Sequence, residues 1–189
     1  AQVRIFFCPS RRTPQMTPYS LSGDMPMEFG YRCQGTPPVP DRTHYPGGLS
    51  DYASNVGTTG SDMYDVSYGA PNGAFEFGRS LPFSAFRDGL SNTFLVGEKQ
   101  VPDDKLGVGW WDCSAYDGNY LPCCSRSAGF HFPLTTNPLS QAVVFGSSHP
   151  VVVQFVFGDG SVRSIPGHLS PSILHLLAAR NDGQVIPDF

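Results

Sequence analysis

Glycine and proline interrupt this chain so often that no long helix fits into it. Its 21 glycines and 18 prolines make up about a fifth of the 189 residues, against roughly 12% in average usage. Proline removes a backbone donor and clashes with the preceding turn, and glycine raises the entropic cost of helix. Short strands joined by long loops remain. Aromatic residues reach 13%, far more than a disordered chain carries, so the loops are expected to be ordered. Hydrophobic residues make up 40%, enough for a core, and the length fits a single domain over residues 1–189.

The apolar pattern assigns the elements. Val3–Cys8 alternates like a strand, and a strand so close to residue 1 implies that an upstream segment was removed. Residues 13–48 and 58–84 read as loop, with Gly35–Pro40 favouring loop or polyproline II. Asp51–Gly57 reads as a strand and turn, Thr93–Glu98 as a strand, and Trp110-Trp111 as the start of another. Val143–Phe145 and Val151–Phe157 are apolar runs. The second is apolar at alternate and intervening positions, the pattern of a central strand covered on both faces. Gly158-Asp159-Gly160 then turns the chain into Ser161–Ile165 as a hairpin. Ser170-Pro171 starts a helix over about 171–181, ended by Asn181-Asp182-Gly183, and Gln184–Ile186 adds a last strand. The fold class is α+β and strand-dominated, with an antiparallel sheet, long ordered loops and a short C-terminal helix.

Charge excludes some functions. The formal net charge is −4 and Lys99 and Lys105 are the lysines. No basic stripe exists for nucleic acid, and no apolar run is long enough to cross a bilayer. The five cysteines, Cys8, Cys33, Cys113, Cys123 and Cys124, show no C-x-x-C spacing. Their loop positions favour disulfides and an oxidising compartment over buried thiols. A bond between the neighbours Cys123 and Cys124 is strained, so each is expected to reach a different distant cysteine. With an odd count, at least one thiol is left over.

Four blocks, in order, carry a resemblance. They are Phe7-Cys8-Pro9-Ser10-Arg11-Arg12, Asp51-Tyr52-Ala53-Ser54-Asn55, Asp88 to Lys99, and Phe145 to Arg163. The last holds His149, nine residues and then Asp159-Gly160. Together they resemble the prepilin-like family of unknown function abundant in planctomycete bacteria, which has also been labelled solute-binding. The resemblance implies the globular head of a pilin-like, extracytoplasmic structural or assembly subunit, not an enzyme. Its partners would be other pilin-like subunits or envelope proteins, and it would touch a membrane through an upstream helix that this chain lacks. A secreted carbohydrate- or small-solute-binding module is the alternative.

His149, Asp159 and Gly160 are expected to be structural, because a regular ten-residue strand would hold His149 and Asp159 roughly 30 Å apart. A triad of Ser91, His149 and Asp88 lacks the nucleophile elbow, and a disulfide would consume a Cys8 or Cys113 nucleophile. Trp110, Trp111, Tyr116 and Tyr120 offer a sugar-stacking surface, although neighbouring tryptophans on a strand face opposite ways. No cofactor is expected. Calcium is the candidate metal, with Asp112 and Asp117 foremost among acidic loop pairs that include Asp62 with Asp65 and Asp103 with Asp104. Arg11-Arg12 is too short for an anion site by itself.

Overall fold

A computed structural model describes residues 3–13, 47–62, 67–108, 111–116 and 121–189. Its strands are β1 (Tyr52–Asn55), β2 (Phe94–Glu98), β3 (Ser125–Arg126), β4 (Val152–Phe157) and β5 (Val162–Pro166), followed by helix α1 (Pro171–Ala178). They form one five-stranded sheet in the order β3-β1-β2-β4-β5. The chain is α+β and strand-dominated. The sheet is mixed, not wholly antiparallel as expected, because β3 runs parallel to β1, pairing Ser54 with Ser125 and Asn55 with Arg126. So short a strand sits in polar loop sequence and has no apolar alternation to announce it.

The hairpin and the start of the helix form where turn and cap chemistry places them. Gly160 supplies the positive φ of the β4–β5 turn, and Ser170 accepts a hydrogen bond from Ser172 N with Pro171 at the first helical position. The helix stops earlier than expected, at Ala178, with the extended Ala179 as its cap. Residues 179–183 then serve the rest of the fold. Arg180 N donates to Asn72 O, Arg180 O accepts from Asp88 N, and Asp182 N and Gly183 N donate to the Asp88 carboxylate. Residues 184–186 form no strand.

Two more expectations are corrected. Arg4–Phe6 is a 3-10 turn, not a strand. Its tie to the sheet is Asp51 N donating to Phe6 O at 2.8 Å, and so short an alternating stretch cannot tell a strand from a tight turn. β4 is central but is covered on one face. Val153, Phe155 and Phe157 are buried while Val152, Gln154 and Val156 are half-buried, because the short helix and the loops pack against one side.

That side holds the core. Phe94, Phe145, Phe155 and Phe157 meet at ring-centroid distances of 4.4–6.3 Å, with Ala53, Val153, Ile165, Leu174 and Leu177 around them. Each such ring contributes roughly 1.5–3 kcal/mol by leaving water. Asn55 is buried and pins β1 to the other layers, giving its amide N–H groups to Phe94 O and Ala178 O and accepting from Gly57 N. Among the described residues no helix is long and apolar enough to cross a membrane.

Gly97 on β2 lies under the Phe155 ring, and a Cβ there would collide with the ring edge and crowd Phe145. Gly97→Ala is therefore expected to destabilise the fold by about 1–3 kcal/mol, read as a lower urea midpoint with an unchanged slope.

Candidate functional site

Three of the four sequence blocks converge at one end of β2. Cys8 begins the turn after the N-terminal 3-10 segment, Glu98 closes β2, and His149 lies in the bend before β4. The sulfur of Cys8 is 3.7 Å from His149 Nε2, and Glu98 Oε1 is 3.5 Å from the same nitrogen. All three donor atoms lie within 4.8 Å of one another. Cys8 and Glu98 are buried, while the His149 side chain is 31% exposed. Among the described residues no other three His, Cys, Asp or Glu side chains converge in this way.

The neighbours fix each member. Glu98 Oε2 accepts from Gln154 N at 2.8 Å, leaving Oε1 turned to the imidazole. His149 N donates to Ser147 Oγ, and Cys8 N donates to Asp51 Oδ2 at 2.9 Å. Arg11 is buried beside them, donating to Ser148 Oγ, Asp51 and Gly146 O. Burial raises the Cys8 thiol pKa, and its hydrogen bond to Glu98 raises it further.

A charge network lies beneath. Arg12 is fully buried and bridges two carboxylates, donating to Asp51 Oδ1 at 2.7 Å and to both oxygens of Asp112. Asp112 also accepts from Gly107 N and faces Lys99 Nζ at 3.6 Å. Lys99 in turn donates to Cys123 O. Burial works against the Asp112 carboxylate, but Lys99, Arg12 and the Gly107 N–H outweigh it and hold its pKa below the usual range. Lys99 is lowered from 10.5 to about 8, first by burial and then by Arg126 and Arg12, against the pull of Asp112.

The sequence candidates separate. His149 and Asp159 stand at opposite ends of β4, which has six residues and so spans only roughly 17–20 Å. Asp159 is exposed and accepts from Ser161 N and Oγ, shaping the hairpin turn with Gly160. His149 instead meets Cys8 and Glu98, a grouping the sequence did not suggest. Cys113 is bonded to Cys123, ten positions away, not to a distant partner. Cys8 keeps its thiol, so no disulfide consumes it, and the Cys124 thiol faces Leu121 O. Asp112 is buried, and its oxygens serve Arg12, Lys99 and Gly107. Asp62 accepts from Phe77 N, and Asp104 pairs with Lys105. Trp111 lies in no strand, gives its indole N–H to Gln141 O and has Lys105 over its ring. Tyr116 lines a groove of about 400 Å³ in which Trp111 takes no part. Cys33, Trp110, Asp65, Asp117, Tyr120 and the Gly35–Pro40 segment lie outside the described residues.

The signal for the converging trio is faint. The three residues sit 90 and 51 positions apart, and no spacing rule links them. The hint available is that each lies in a different one of the ordered blocks.

Removing Arg12 strands two buried carboxylates. Arg12→Met is expected to cost about 3–5 kcal/mol in urea unfolding, with Arg12→Lys recovering part of it. Lys99 gives a pH signature. Its folded pKa lies below its unfolded one, so between about pH 8 and 10.5 the unfolded chain holds more of this proton. Through Lys99 alone, stability therefore rises with pH across that window, by up to about 1.4 kcal/mol per unit. Cys8 and Tyr52, both raised chiefly by burial, pull the other way. The Lys99 part is isolated by comparing unfolding free energies at pH 7.5 and 9.5 with those of Lys99→Met, which is expected to lose that gain.

Neither the curated proteins nor the solved structures contain a match to this chain. A family described as "Protein of unknown function (DUF1559)" matches residues 1–170. The matched stretch includes Cys8, Glu98 and His149, the buried network of Arg12, Asp51, Lys99 and Asp112, and all five strands, and it ends just before α1. With most of its length matched, the chain belongs to this family of unknown function.

Proposed function

We propose that the chain is a non-enzymatic structural or assembly subunit of the pilin or pseudopilin kind, working outside the cytoplasm. The observation that carries this reading is an apolar surface beside the N-terminal turn. Ile5 is 77% exposed and Tyr116 58%. Both border the groove of about 400 Å³ that Phe6, Tyr52, Ala53 and Val96 also line. Exposed apolar surface of this kind serves contact with another protein, here a second pilin-like subunit or another envelope protein.

The Cys113–Cys123 disulfide supports a location where thiols oxidise. The geometry at His149 supports the absence of catalysis. A cysteine–histidine relay needs the thiol on one imidazole nitrogen and the orienting carboxylate on the other. Here Cys8 and Glu98 both face Nε2. The low charge and the missing basic stripe support a protein partner over nucleic acid. The groove favours a second reading, a secreted module for a small solute or sugar, since about 400 Å³ lies within the range of ligand pockets.

Sedimentation across a range of concentrations tests the first reading. The protein is expected to self-associate, and Ile5→Asp to remain monomeric with an unchanged melting temperature. Thiol alkylation of cell fractions should find the protein in the envelope or secreted fraction with Cys113 and Cys123 protected. A monomer at every concentration, recovered from the cytosol with both cysteines alkylated, overturns it. A monomer outside the cytosol that releases heat with one member of a glycan panel selects the second reading.

A further inference from the structure

We propose that Cys8, Glu98 and His149 form a binding site for a zinc-class divalent ion, with one coordination position open to solvent. The ligand atoms are Cys8 Sγ, Glu98 Oε1 and His149 Nε2. A tetrahedral ion with bonds of about 2.3 Å to sulfur and about 2.0–2.1 Å to nitrogen and oxygen sets its ligand atoms roughly 3.3–3.6 Å apart. The sulfur lies 3.7 Å and the carboxylate oxygen 3.5 Å from the imidazole nitrogen. These two separations are within a few tenths of an ångström of what zinc requires, and the sulfur and the carboxylate oxygen lie within 4.8 Å of each other.

Hydrogen bonding accounts for the 3.5 Å contact between Glu98 and His149 less well. A good N–H···O bond is 2.7–3.2 Å long, and one ring nitrogen offers a single proton or a single lone pair. A thiol and a carboxylate nevertheless address that nitrogen from different segments. Convergence of three such atoms on a common centre is the arrangement of ligands around an ion. The donor set selects the class as well. Sulfur and imidazole suit zinc, cobalt and their neighbours, whereas calcium and magnesium take oxygen alone.

The supports belong to such a site. Gln154 N holds the far oxygen of Glu98, Ser147 Oγ holds the His149 backbone, and the Asp51 carboxylate holds Cys8 N. Outer partners of this kind orient metal ligands before the ion arrives. Cys8 and Glu98 are buried while His149 is partly exposed, so the open position faces water on the histidine side. Three protein ligands and one water are the composition of an open zinc site. The proposal stands whether or not the chain self-associates.

Cobalt(II) is the probe, because a thiolate ligand gives it an intense near-ultraviolet charge-transfer band and tetrahedral geometry gives it visible bands. Titration of the protein with its Cys113–Cys123 disulfide intact is expected to saturate at one ion per chain, with zinc displacing the cobalt and raising the melting temperature. Cys8→Ser should abolish the charge-transfer band. His149→Asn and Glu98→Gln should each weaken binding at least tenfold. Glu98→Gln keeps an acceptor for Gln154 N, so its near-ultraviolet dichroism should match the parent and separate lost ligation from lost folding. Cys124→Ser should leave the spectrum unchanged. Absence of saturable binding overturns the proposal, as does a cobalt band that survives Cys8→Ser or disappears with Cys124→Ser.

Discussion

Everything at the N-terminal end of the sheet depends on one guanidinium. Arg12 is sealed from water between Asp51, at the entry to β1, and Asp112, in the loop before the disulfide. Taking an arginine and two carboxylates out of water costs several kcal/mol per ion, and the pairs offset this only when hydrogen bonds fill the remaining lone pairs and protons. Here they are largely filled. Asp51 takes Cys8 N and Arg11 as well, and Asp112 takes Gly107 N and faces Lys99. The network ties Arg12 and Asp112, which lie in no strand, to the adjoining ends of β1 and β2, and through Asp51 it holds the Cys8 backbone beside Glu98 and His149.

The two halves of the molecule are held by different physics. Around α1 the packing is mainly non-directional, four phenylalanines and aliphatic side chains, with the hydrogen bonds of one buried asparagine closing the layers. Around Arg12 they are directional and charged. An apolar core tolerates a volume-conserving exchange, whereas a buried charge network loses its balance when one member goes. The second kind of packing holds side chains at set distances, as a cluster of convergent donor atoms requires.

The elements that the sequence made legible are those with local causes. β2, β4, β5 and α1 announce themselves through apolar alternation, the Gly158-Asp159-Gly160 turn and the Ser170-Pro171 start. The N-terminal turn misleads because its alternation is real but its tie to the sheet is a single backbone bond from Asp51 N to Phe6 O and not a strand ladder. β3 is hidden because parallel pairing over two residues leaves no pattern. The Cys8, Glu98 and His149 cluster is hidden for a related reason. Its members occupy three segments whose meeting depends on β2 lying between β1 and β4, an order that no local spacing encodes. Cysteine counting did anticipate a thiol left over, and Cys8 is one. It failed on the pairing, since the bond joins residues within one loop.

The strand order also sets a timetable. Among the described strands only β4 and β5 are joined by a tight turn. β1 must find β2 across tens of residues, and β2 must find β4 across a longer gap. Loop-closure entropy delays such pairings, so the C-terminal hairpin and its helix are the natural first structure. Synthesis runs the other way. Cys8 and Arg12 leave the ribosome before the groups they meet, Asp51, Glu98, Asp112 and His149. Until they meet, the Cys8 thiol is open to exchange with the other cysteines, and closure of the short Cys113–Cys123 loop removes two of those rivals.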